Sequence, residues 1–156
     1  MKQSFREITL NALLSKRLQN FDKIVNIGER KKRNCIFYNG NFCTKFKVKE
    51  NAPASWVSNS KMDPHPVFCY VCPYFSSRDD EGEVELDLLD IYLYYKEIEK
   101  NIDRELKFLD SRRKDYFLFG TLGLDRRREE LLVLLEDLRE KENILKELIS
   151  IVGIIK

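Results

Sequence analysis

Apolar residues recur at three- and four-residue spacing over two long stretches of the chain. In the first, Phe5, Ile8, Leu13, Leu14, Leu18, Phe21, Ile24 and Val25 predict a helix over residues 4–27, broken near Asn20. Ser4 with Glu7 three residues later reads as a capping box, and Gly28 as the stop. In the second, from residue 83 onward, Val84, Leu88, Ile91, Tyr95, Ile98, Ile102 and Leu109 follow a heptad-like repeat, with Glu105 as a polar intruder. Leu131, Leu135, Leu138, Leu145, Ile149 and Val152 resume it, with Glu142 polar. Gly120 suits the C-cap of the first helix and Asp125 the N-cap of the second. Their matched reach about Thr121 predicts an antiparallel helical hairpin or coiled coil, roughly 45–55 Å long at about 1.5 Å per residue.

The stripes are wider than a two-helix seam needs. Leu86, Leu89, Leu93, Leu106 and Phe108 widen the first, and Leu132, Leu134, Leu148, Ile151 and Ile155 the second. A third surface is therefore expected, either the N-terminal helix or a second copy of the chain.

Between these helical ends the pattern changes. All four prolines lie between 53 and 73, and residues 51–75 read as loop. Residues 34–49 read as a β-hairpin, with strand-prone Ile36-Phe37-Tyr38 and Phe42 to Val48 around Asn39-Gly40. The expected fold is thus mainly α, in three parts. An N-terminal helical segment (1–29) precedes a small, zinc-ribbon-like, metal-bound hairpin module (30–75), and the antiparallel helical hairpin (76–156) follows.

Cys35, Cys43, Cys69 and Cys72 carry the candidate chemistry. Two thiolates at Cys-x2-Cys spacing reach one tetrahedral ion from a single turn. A three-residue loop Tyr38-Asn39-Gly40 would set Cys35 opposite Cys43, about 4.5–5.5 Å away, and complete a four-thiolate site. Structural zinc is the first reading. An iron–sulfur cluster is the second, since Pro73 follows the last cysteine. Disulfides and ordinary buried thiols follow. His65, the one histidine, is a substitute ligand or a hydrogen-bonded loop residue; Trp56 and Phe68 are expected to pack beside the site. The arrangement resembles small zinc-ribbon and iron–sulfur modules over about 40 residues, although x7 between the first two cysteines departs from the zinc ribbon. The resemblance carries no function with it.

Charge adds a second candidate surface. The net charge of +2 conceals a basic first third: residues 1–50 hold twelve Lys/Arg against four Asp/Glu, and residues 81–156 hold fourteen against nineteen. Arg30, Lys31, Lys32 and Arg33 enter the hairpin, and Lys45, Lys47 and Lys49 alternate along its second strand beside Phe37, Tyr38 and Phe42. Basic groups interleaved with aromatics suit DNA or RNA backbones and stacked bases. The competing reading is an edge strand kept from aggregation by its lysines.

Composition sets the bounds. With 43% apolar and 35% charged residues the chain can build a core. Its longest apolar runs, 131–135 and 149–155, are too short for a membrane span, and no signal segment is read at the N-terminus. A cytoplasmic location is expected. One histidine and no phosphate-cradling glycine loop leave no acyl- or phosphoryl-transfer machinery in view, so a non-enzymatic role is expected. The leading expectation is a metal-stabilised nucleic-acid-binding or assembly protein, working as a homo-oligomer or within a larger complex. A protein–protein adaptor with structural zinc and an iron–sulfur accessory protein are the alternatives.

Overall fold

A computed structural model describes residues 5–47, 56–58, 61–74, 84–115 and 122–155. Its element order is α1 (Phe5–Arg17), α2 (Phe21–Asn34), β1 (Phe46–Lys47), β2 (Val57–Ser58), β3 (Lys61–Met62), α3 (Pro66–Val71), β4 (Val84–Glu85), α4 (Leu88–Asp115) and α5 (Leu122–Ile155). The protein is mainly helical. The chain divides into two compact units: unit 1 comprises residues 1–91 and 144–156, and unit 2 residues 92–143. All four cysteines fall in unit 1.

In unit 1 the predicted break near Asn20 is real. Asn20 adopts left-handed backbone (φ 58°), a conformation asparagine tolerates better than most residues, and it separates α1 from α2. Leu10 and Leu14 of α1, with Leu18 just past its end, form a buried stripe. Arg17 ties its end to α5 through Glu147 at 3.2 Å and Ser150 at 3.0 Å.

Gly28 is not a helix stop. Helix α2 runs on to Asn34, and Gly28 lies buried in its middle against α3. A Cβ at this position would overlap the carbonyl of Pro66. Glycine is there because two backbones meet, which no propensity argument reveals.

The segment expected as loop contains α3. Pro66 opens it at a position where its missing N–H costs nothing, and His65 caps it by accepting from Val67 N–H at 3.1 Å. The hairpin register also differs from expectation. Tyr38, not Cys35, bridges to Cys43, and Cys43 bridges in turn to Met62. Asn39 closes the turn with its side chain, accepting from the Asn41 and Phe42 N–H groups at 2.9 and 3.0 Å. Gly40 takes the positive φ of 97°. The remaining strands are two residues each: β2 pairs antiparallel with β3, and β1 pairs parallel with β4, Phe46 opposite Val84. Val84 therefore belongs to a strand rather than to the heptad. Asp87 caps α4 instead, accepting from Leu89 N–H at 3.0 Å. Trp56, Phe68 and Phe46 build an aromatic core, with centroids 5.6 Å apart for Trp56–Phe68 and 5.3 Å for Phe46–Phe68.

In unit 2 the buried positions follow the predicted repeat. Tyr95, Ile102 and Leu109 of α4 and Leu131, Leu135 and Leu138 of α5 are buried. The polar intruders join the two helices. Glu142 is buried and meets Lys96 at 3.2 Å, while Glu105 meets Arg127 at 2.7 Å. Asp110–Arg128 at 3.1 Å and Glu99–Arg139 at 3.8 Å add to them. Helix α5 starts at Leu122, so Asp125 lies in its first turn rather than at its cap, and Gly120 falls outside the described residues.

Gly28→Ala is expected to destabilise the protein by about 3 kcal/mol, because the clash is with backbone and no rotamer change relieves it. Urea unfolding of the two proteins measures the difference. Equal midpoints would mean that α2 and α3 do not touch here.

Candidate metal centre

Three elements deliver the cysteines to one place. Cys35 is the C-cap of α2, Cys43 lies in the bridged ribbon, Cys69 sits within α3 and Cys72 is the C-cap of α3. Continuing the helical period past Gly28 explains Cys35: Ile24, Gly28, Lys31, Lys32 and Cys35 share one stripe of α2. All four cysteines line a single cavity of about 20 Å³, together with Lys31, Lys32, Tyr38, Phe46, Pro64 and Phe68. That volume admits one water-sized occupant.

The cysteines are free thiols. As placed, no three His, Cys, Asp or Glu side chains among the described residues converge to metal-holding distance. The sulfurs surround the cavity without sharing a centre. Their environment favours the neutral form. Burial raises the Cys43 thiol above its usual range and raises Cys69 further, and it pushes Cys72 up to about 12. Charge on any one of Cys43, Cys69 and Cys72 would also repel charge on the others and on Cys35. Lys32 opposes these effects at Cys43 and Cys69, and Lys31 opposes them at Cys72. Thiols that burial keeps protonated are poor nucleophiles, and they ionise only where a cation compensates the charge.

The lysines of α2 do more than line the cavity. Lys31 Nζ donates to Tyr70 O at 3.1 Å. Lys32 Nζ donates to Pro64 O at 2.8 Å, pairs with Asp63 at 2.6 Å and stands 4.9 Å from the Tyr38 ring centroid. Both are half-buried clasps between α2 and the segment around α3. Lys45 is 1% exposed and lies 5.1 Å from the ring centroids of both Phe37 and Tyr74. Lysines 31, 32 and 45 are thus taken up inside unit 1; of the lysines expected to alternate along the strand, Lys45 is buried, as is its neighbour Phe46. Arg30 and Arg33 are exposed. Lys47 belongs to β1, and Lys49 lies outside the described residues.

His65 is committed elsewhere. Its Nδ1 accepts from Val67 N–H, so its Nε2 carries the proton and donates to Asn11 Oδ1 at 2.6 Å. Neither nitrogen is left for a metal. Trp56 and Phe68 pack together as expected, and Phe68 reaches the cavity wall. No family model, curated protein or solved structure matches the chain.

Burial, followed by the charge of Lys32, lowers the His65 pKa from 6.5 to about 4. Above pH about 6.5 the ring is neutral whether the chain is folded or not. Between there and about 4 the unfolded chain takes up a proton that the folded one refuses, so stability falls with pH by about 3 kcal/mol. His65→Asn keeps an N-capping side chain without titrating. Its stability, measured from pH 7 to 4, is expected to fall correspondingly less than that of the wild type; parallel curves would show that His65 is not buried in its neutral form.

Proposed function

We propose that this chain is a non-enzymatic assembly protein whose first unit is stapled by one zinc ion held by the thiolates of Cys35, Cys43, Cys69 and Cys72. The observation that carries this reading is the meeting of four cysteines, from α2, the ribbon and both ends of the α3 turn, around one cavity. A pocket of about 20 Å³ suits a single ion better than a multi-iron cluster. Ligation needs the sulfurs to draw inward, and the loss of their protons to a cation supplies the force. Lys31 and Lys32 then offset part of the negative charge of a four-thiolate site. Four thiolates fill the coordination shell and leave no position for a reacting water, which favours a structural ion.

Assembly is favoured over nucleic-acid contact because three of the seven basic residues named for that contact are taken up internally. The partner of α4 and α5 is addressed through their outer faces, with the two helices acting as an antiparallel hairpin fixed in register by Lys96–Glu142 and Glu105–Arg127. Exposed Arg30 and Arg33 support a second reading, a small polyanion-binding surface at the end of α2. Binding to nucleic acid that weakens steeply with salt and with Arg30→Ala would favour it.

Elemental analysis of the purified full chain is expected to find about one zinc per chain, and Cys69→Ser or Cys72→Ser to abolish that stoichiometry. Chelation is expected to destabilise unit 1 severely, since metal affinity at such sites is folding energy on the order of 10 kcal/mol. Visible absorption with bound iron would replace zinc by a cluster. A metal-free protein whose stability ignores both substitutions would end the metal reading.

A further inference from the structure

Among its described residues, unit 2 has a buried seam and leaves further apolar side chains exposed. Leu93, Tyr94 and Phe108 of α4 are 53–55% exposed, and Leu132, Val133 and Leu134 of α5 are 39%, 67% and 49% exposed. Six large apolar residues are thus exposed on the described helical residues 92–115 and 122–143, three of them consecutive at 132–134. Leu132 to Leu134 stand midway along the part of α5 that belongs to this unit, 122–143.

The charge on unit 2 indicates what covers that surface. The ion pairs place residues 96–110 of α4 beside residues 142–127 of α5, so 104–115 with 122–128 make one end of the unit. That end holds eight Lys/Arg and four Asp/Glu. The opposite end, 92–103 with 129–143, holds four Lys/Arg and nine Asp/Glu. The unit is nearly neutral in sum and strongly dipolar along its length.

We infer that unit 2 is completed by a second copy of this chain laid antiparallel against it, which deepens the assembly reading above. Each basic end then lies on the acidic end of the other copy, and the central Leu132–Leu134 patch meets its own counterpart across the two-fold axis. A parallel copy would set like charge on like.

Sedimentation of the zinc-loaded full chain at about 50 mM and about 500 mM salt tests this. The wild type is expected at twice the 18.6 kDa chain mass, with association weakening as salt rises. Val133→Glu with Leu134→Glu should give monomer with unchanged helical circular dichroism. Lys107→Glu with Arg126→Glu, and separately Glu136→Lys with Glu140→Lys, should each weaken self-association about 10-fold or more. Mixing these two charge variants should restore a dimer, because both contacts are then complementary. A wild type that stays monomeric up to about 100 μM, as a surface built for a different protein would, overturns the inference. So does a dimer that survives the Val133/Leu134 change, or two charge variants that do not associate when mixed. Metal content measured on the same samples separates failure of the dimer from failure of the zinc site.

Discussion

Helix α2 lies against α3 only because residue 28 has no side chain. The Pro66 carbonyl occupies the space a Cβ would need. That approach fixes a six-residue helix too short to be stable alone. The neighbours of Gly28 then finish the attachment: Lys31 and Lys32, one turn further along α2, reach a carbonyl in the last turn of α3 and one just before it, and Asn11 of α1 accepts from the His65 ring. With α3 held, Cys69 and Cys72 face the end of α2, where Cys35 waits as its cap. The cavity is a consequence of this one contact.

The same geometry explains how positive charge is used in unit 1. Lysines at the end of α2 meet the negative pole of the helix dipole and the carbonyl groups of the segment they clasp. Their ammonium groups also lie close enough to the thiols to oppose the effect of burial. A basic run that reads as an exterior patch is, in its middle two residues, part of the cavity wall. Lys45, enclosed by the rings of Phe37 and Tyr74, is a further example of charge taken inward.

How far the site could be read from sequence depended on distance along the chain. The four cysteines are visible as a set because Cys-x2-Cys is a local signal. Their route to the cavity is not. A hairpin register is decided by which side chain closes the turn, and Asn39, by accepting from two following N–H groups, moved the pairing so that Tyr38 opposes Cys43. The stripe Ile24, Gly28, Lys32, Cys35 was available as a helical period, but glycine followed by five charges reads more readily as an ending. Short α3 was hidden by its flanking prolines, although Pro66 at the first helical position is compatible with one.

Periodicity alone determined the helices α4 and α5 and most of their buried positions, because a repeat sustained over many turns needs no distant partner to be recognised. It also marked the break at Asn20 and the absence of a long apolar span. Tertiary structure alone decided that α2 passes Gly28, that Lys31, Lys32 and Lys45 turn inward, and that His65 spends both nitrogens on hydrogen bonds. Each of those outcomes depends on a backbone carbonyl, an aromatic face or an amide contributed by a segment remote in sequence. Local pattern carries no record of which remote group arrives.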